Sequence, residues 1–235
     1  MKKQEGYTLV EMLVSIFVGM LIVAAIYAAV VSSQRSTANI EQKVVAGQDA
    51  RAALELMARE IQMASYKPNY VTGMWIDPGS CTTVSVNQNY WGIQTATSTS
   101  ITVEADINDN GSVARSGTPN INPNEIITYT YDAENQYITR ETGCGGNMPF
   151  LGDRPTSGNP RTVRVINTAE VPVFRYFDAQ GAEITAAGLP AGIPNIARID
   201  ITLWVETADI DVSSGQRRRM IYSTNVIPRN HVITD

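Results

Sequence analysis

The stretch GYTLVEMLVSIFVGMLIVAAIYAAVV, residues 6–31, decides the fold of this chain. It carries one charged residue, Glu11, and it is long enough to cross a bilayer as an α-helix, which needs roughly 20 apolar residues at about 1.5 Å each. An acidic side chain within such a span costs about 2.5–3.5 kcal/mol on insertion scales, so it indicates a function that involves a specific partner. A plain membrane anchor would not need it.

The charges that flank this stretch predict its orientation. Lys2 and Lys3 precede it, and no Lys or Arg follows until Arg35. This asymmetry predicts a cytoplasmic N-terminus, with the bulk of the chain on the other side of the membrane. A conventional secretory signal fits less well, because its apolar region is about 7–15 residues long and ends at a small-residue cleavage site.

The helix is predicted to continue past the membrane to about Tyr66. Residues 32–66 contain no Pro and a single Gly, and Pro68 then ends the helix. Mostly apolar residues recur at alternating spacings of four and three, which is typical of one face of a helix: Ile40, Val44, Gly47, Arg51, Leu54, Ala58 and Ile61.

From residue 67 onward, short β-prone segments are separated by polar and Gly-rich turns. The clearest strand is Ala197 to Glu206, in which aliphatic and polar residues alternate as in a half-buried antiparallel strand. Further strands are predicted at 125–132, 136–140, 171–177 and 219–227, and loops at 106–124 and 143–160. The predicted fold class is α+β, with one long N-terminal helix packed on an antiparallel β-sheet domain.

Charge and cysteine content limit the functions open to this chain. The formal net charge of -5 argues against nucleic-acid binding, although Arg217, Arg218 and Arg219 form a basic run. We interpret that run as a solvated hairpin turn, with contact to an acidic neighbour or to DNA as the alternatives. Cys81 and Cys144 lack metal-ligand spacing, and outside the cytoplasm they predict one disulfide, with free buried thiols as the alternative.

No catalytic set is evident in the sequence. His231 is the single histidine and lies near the C-terminus, so Ser/His, Cys/His and His-based metal chemistry lack their parts. The chain is therefore predicted not to be an enzyme.

The segment ADINDNGSV offers one candidate metal site. Asp106, Asn108 and Asn110 occupy alternate positions ahead of Gly111, as at the start of a Ca²⁺ loop. The twelfth position from Asp106 is Gly117, which excludes an EF-hand as such. One of three acidic residues would have to complete a looser oxygen site: Glu104, Asp109 or Glu125. The alternative is a turn stabilised by Asn, Asp and Gly, and no other cofactor is predicted.

The N-terminus resembles a known processing signal. A short basic leader ends in Gly6, Tyr7 follows, and Glu11 is fifth after the glycine, as in the prepilin signal of type IV pilins and type II secretion pseudopilins. RAALELMAREIQMASY, residues 51–66, and NVIPRN, residues 225–230, resemble minor pilins of the PilW type and the related J-type minor pseudopilins. Tyr7 stands where Phe is usual, and the membrane helix lacks the Pro that many major pilins carry.

The resemblance implies a route of maturation. The membrane-embedded prepilin peptidase would cleave after Gly6, with Lys2 and Lys3 holding the leader at the cytoplasmic face, and would methylate the new amine of Tyr7. That amine is the expected partner of Glu11, in the same chain or in a neighbouring subunit. The implied divisions are a leader at 1–6, a membrane and filament-core half of the helix at 7–31, an amphipathic half at 32–66, and a periplasmic β-rich domain at 67–235.

The resemblance also implies a function. We expect a structural minor pilin that is anchored in the inner membrane by a single span and then primes or caps a type IV pilus beside other major and minor pilins. A minor pseudopilin of a type II secretion system is the first alternative. A module displayed at the filament tip for adhesion, or for binding DNA or Ca²⁺, is the second.

Overall fold

One helix of 54 residues, α1, spans Leu9–Gln62. The computed structural model describes residues 7–67, 71–80, 83–113, 123–152, 161–211 and 214–231. The helix ends ahead of Tyr66, because Ser65 takes a φ of 65°, which a right-handed helix cannot include. The Ser65 N–H instead donates to the carbonyl of Glu104 at 2.8 Å, which draws the chain off the helix and onto a strand end.

Two antiparallel sheets follow the helix in the described part of the chain. The first has the order β1-β2-β3-β4-β5, a meander in which each strand pairs with the next along the chain. Its strands are β1 Ile93–Ala96, β2 Ser100–Glu104, β3 Ile126–Asp132, β4 Tyr137–Thr142 and β5 Met148–Leu151.

The second sheet has the order β10-β9-β7-β8, and β6 also pairs with β9. Its strands are β6 Val163–Val165, β7 Phe174–Phe177, β8 Glu183–Ile184, β9 Arg198–Thr207 and β10 Arg219–Val226. The α+β class, with one long N-terminal helix on antiparallel sheets, is therefore confirmed. The division into two sheets is new, as is β5, which lies inside a predicted loop.

The distal half of α1 packs on the domain, and the proximal half does not. The buried residues of α1 are Ala46, Gly47, Ala50, Ala53, Leu54, Met57 and Ile61. The predicted face is right at Gly47, Leu54 and Ile61, whereas Ile40 and Val44 are 61% and 50% exposed. Small residues line most of the contact because the helix backbone lies close to β10. A Cβ on Gly47 would lie 2.8 Å from the Tyr222 hydroxyl.

The main core lies between α1 and the inner faces of the two sheets. The alternation predicted for β9 is borne out, since Ile199, Ile201, Leu203 and Val205 are fully buried. A second, smaller apolar cluster forms around Trp75, with Met74, Ile76, Val113 and Ile126. Val113 of this cluster directly follows the acidic loop described below, and Ile126 is the first residue of β3.

Candidate functional site

The first turn of α1 is held by a capping box between Thr8 and Glu11. The Thr8 hydroxyl accepts from the Glu11 N–H at 3.3 Å. In return, Glu11 Oε2 accepts from the Thr8 N–H and from the Thr8 hydroxyl, each at 2.9 Å. These bonds satisfy donors that the start of a helix would otherwise leave unpaired. Sequence reasoning missed Thr8, although the T-x-x-E spacing is the usual signal for such a cap.

Glu11 lies on a helix segment that touches nothing else in the described chain. Residues 7–30 are all exposed, including Leu9 at 79% and Phe17 at 60%. In the described residues, α1 is the helix long and apolar enough to cross a membrane. So large a bare apolar surface is stable in lipid or against other apolar helices, not in water. The arrangement fits a single-pass membrane anchor that carries a C-terminal domain.

Of the other residues in the predicted processing signal, the structure describes Tyr7. Gly6, Lys2 and Lys3 lie outside the described residues, and Tyr7 is exposed immediately ahead of the cap. The described contacts of Glu11 join it to Thr8, so its pairing with the Tyr7 amine stays a prediction. All the described side-chain bonds of Glu11 end on Oε2. Glu11 Oε1 is thus left to accept from a further donor.

Comparison with known proteins bears on this same segment. Residues 1–27 match the family model described as the prokaryotic N-terminal methylation motif. The match supports a type IV prepilin-like protein, that is, a pilin or a pseudopilin. Such a motif implies processing by a prepilin peptidase and assembly with other pilins. No curated protein and no solved structure matches the chain.

The predicted calcium residues form a tight loop after β2. The Asp106 carboxylate accepts from the N–H groups of Asn110 at 3.1 Å and Gly111 at 2.9 Å. Asn108 Oδ1 accepts from the Asn110 N–H at 3.0 Å, and Asn110 Oδ1 from the Ser112 N–H at 2.8 Å. Gly111 has a φ of 76°, a backbone conformation that favours glycine. These hydrogen bonds are expected both for a turn stabilised by Asn, Asp and Gly and for a calcium loop, so they do not distinguish the two interpretations.

The structure distinguishes among the acidic residues that could complete this loop. Glu125 lies against it, with Oε1 accepting from the N–H groups of Ile107 at 3.2 Å and Asn108 at 3.1 Å. Burial raises the pKa of Glu125, and the nearby charge of Asp106 raises it further. The two hydrogen bonds lower the pKa, but they do not offset the rise. Glu104 instead accepts from the Ile76 N–H at 3.0 Å, and burial raises its pKa well above the ordinary value.

The structure describes one of the two cysteines, Cys144. Cys81 lies outside the described residues, so the disulfide stays a prediction. Cys144 Sγ lies 3.8 Å from the carbonyl oxygen of Pro78, three residues ahead of Cys81 in the chain. This proximity supports the predicted pairing.

The basic run is ion-paired rather than merely solvated. Arg217 and Arg219 each place Nε 3.5 Å from a carboxylate oxygen of Glu206. Arg218 lies 2.6 Å from Asp211, a nearly buried carboxylate that also accepts from the Asn39 amide at 2.7 Å. The run therefore helps to join the β9–β10 connection to α1. The sequence did not show this, because the acidic partners are brought there by the hairpin.

His231 has a structural place in the fold. Its Nδ1 lies 3.1 Å from Ser65 Oγ, and its Nε2 lies 2.9 Å from the carbonyl oxygen of Ile193. Ser65 Oγ also accepts from the Gly92 N–H at 3.0 Å, and Ser65 is fully buried. A nucleophilic serine must reach a substrate, so this arrangement fits a clamp on the C-terminal segment better than a catalytic pair. Burial lowers the pKa of His231.

Proposed function

We propose that this chain is a minor subunit of a type IV pilus, processed after Gly6 and built into the filament through the proximal half of α1. The observation that carries the proposal is the bare apolar segment of residues 7–30, whose one charge, Glu11, sits at its very start. Before assembly this segment would span the inner membrane, with the two-sheet domain in the periplasm. After assembly the same surface would pack against the helices of neighbouring subunits.

Glu11 would select the register of that packing. Cleavage after Gly6 creates a positively charged amine at Tyr7, and Glu11 Oε1 is available to accept from such a group on an adjacent helix. In a low-dielectric surrounding a carboxylate without a partner is costly, and a paired one is favoured only at the correct offset. The capping box fixes the carboxylate at the helix start, so the subunit would present it in one orientation.

Two features support a minor rather than a bulk subunit. The domain is large, with two sheets behind the helix, and the membrane half of α1 has no Pro that would kink it. A subunit of this kind would prime or cap the filament. A minor pseudopilin of a type II secretion system would share the same architecture.

The test compares Glu11→Ala with Ser15→Ala, one turn further along the same helix, in the cell of origin. We expect both variants to be membrane-inserted and to lose residues 1–6, with mass spectrometry showing methyl-Tyr7 as the first residue. Sheared surface filaments should contain the Ser15→Ala chain at the wild-type level and the Glu11→Ala chain at a strongly reduced level. Equal incorporation of the two variants would contradict the role given to Glu11.

The same preparation separates the two kinds of filament. Wild-type chain in sheared surface pili supports the pilus assignment. Chain that stays in the envelope, together with a secretion defect when it is deleted, would show a pseudopilin instead. An intact Met1 in the mature protein would refute the prepilin route altogether.

A further inference from the structure

The acidic loop after β2 collects oxygen ligands from two separate parts of the chain. Asp106, Asn108 and Asn110 lie at the first, third and fifth positions of the loop, and Gly111 at the sixth. This is the spacing at which a calcium loop directs its first three side chains towards one point. A turn alone accounts for the bonds within residues 106–112, so an ion site needs a further ligand from outside the loop.

That further group is Glu125, which stands outside the loop sequence. It lies at the start of β3, beside Ile126 of the Trp75 cluster, and is 1% exposed. Its Oε1 is fixed by the Ile107 and Asn108 N–H groups. Its Oε2 is buried and has no hydrogen-bond partner among the described residues. A buried carboxylate oxygen in that state is unfavourable unless something else neutralises it.

We propose that Asp106, Asn108, Asn110 and Glu125 bind one Ca²⁺ ion. All four offer oxygen, which a hard cation prefers, and they offer no nitrogen or sulfur that would favour zinc or copper. Two carboxylates match the charge of a divalent ion. An irregular set of side chains from two segments suits calcium, which accepts six to eight ligands in flexible geometry, better than magnesium, which demands a near-ideal octahedron.

A bound dication would neutralise the Asp106 carboxylate and give the unpartnered Glu125 Oε2 a partner. It would also tie the end of β2 to the start of β3, and so fix the two ends of the connection between them.

The experiment uses the full chain in detergent micelles, stripped of metal with a chelator. We expect calorimetry to show calcium binding, and calcium to raise the melting temperature of the domain. Magnesium at the same concentration should bind far more weakly and raise the melting temperature far less. Glu125→Gln should weaken calcium binding by at least about tenfold. Glu134→Gln, an exposed carboxylate in the β3–β4 turn, serves as the charge-matched control and should bind like the wild type.

Several results of this experiment would refute the calcium site. No binding and no melting shift at about 1 mM calcium, the weak end of extracellular calcium modules, would refute the site. Equal responses to magnesium and calcium, or equal affinity of Glu125→Gln and the wild type, would also refute it. Should Glu125→Gln fail to fold, Tb³⁺ luminescence excited through Trp75 and Trp91 of the neighbouring cluster reports on the wild type alone. Calcium must then displace the Tb³⁺ signal, and a signal that calcium leaves unchanged would overturn the proposal.

Discussion

Glu60, a largely buried carboxylate on α1, adds a polar link between the helix and the first sheet to the apolar core that they share. Arg140 of β4 binds Glu60 in a two-pronged ion pair, with Nη2 2.6 Å from Oε1 and Nε 3.0 Å from Oε2. The Tyr129 hydroxyl donates to the same carboxylate. The side chains of Glu60 and Arg140 are 12% and 22% exposed. We predict that Glu60→Ala will loosen the helix from the domain.

The size of this effect follows from what the substitution leaves behind. The Arg140 guanidinium loses its counter-charge in a mostly buried place, and the Tyr129 hydroxyl loses its acceptor. Removing one partner of a buried ion pair costs about 3–5 kcal/mol. Because Arg140 keeps some contact with water, we expect the low end, about 3 kcal/mol.

Glu55 supplies the matched control on the same helix. It pairs with Arg59 one turn away, but the two side chains are 65% and 74% exposed. An exposed pair of this kind contributes about 0.5 kcal/mol or less. Glu55→Ala therefore removes the same atoms and charge from α1 without leaving a buried cation.

The assay is urea unfolding of the full chain in micelles, followed by near-ultraviolet circular dichroism of the domain's Tyr and Trp residues. We expect the unfolding free energy to fall by about 2.5 kcal/mol more for Glu60→Ala than for Glu55→Ala. The double variant Glu60→Leu with Arg140→Met should recover much of the loss, because no buried charge remains. Equal losses for the two single variants would refute the reasoning.

Three further substitutions test the junction at the end of α1 and two buried titratable groups, His231 and Glu104. A Cβ on Gly92 would lie 2.2 Å from the Ser65 nitrogen and 2.3 Å from the Glu104 carbonyl oxygen. Gly92→Ala should therefore lower the free energy of unfolding by about 3 kcal/mol, as measured by thermal unfolding. The control is Gly79→Ala at an exposed position, which should lower it by about 0.5 kcal/mol or less. Burial lowers the pKa of His231 below its ordinary 6.5, so the unfolded chain binds the proton more readily. The stability advantage of the wild type over His231→Gln should therefore shrink as pH falls from about 7 to about 5, and a constant difference would argue against the clamp. Burial raises the pKa of Glu104 above its ordinary 4.5, so ionisation above that pH opposes folding. Glu104→Gln should gain stability relative to the wild type as pH rises from about 4.5 to about 7, measured by the same unfolding series.

Several elements were predictable because their signals are local. The alternation in β9 and the turn between β3 and β4 can be read directly, since strand faces and tight turns involve neighbouring residues. The burial face of α1 was harder, because small residues carry most of it and the domain contacts only the distal half. The end of the helix was misplaced by a few residues, because the bond from Ser65 to Glu104 joins distant segments.

The candidate sites likewise fall into two groups, those that local sequence determines and those that tertiary contacts determine. The sequence alone determined the pattern of the N-terminal segment, namely Gly6, an apolar span and Glu11 at a fixed offset, because this pattern depends on covalent order and helix geometry. Tertiary structure decided what the domain does with its charges. It paired Glu60 with Arg140 across 80 positions of the chain and brought Glu125 to the loop at Asp106. Such contacts arise from the packing of strands and helix against one another, and no local pattern of residues encodes them.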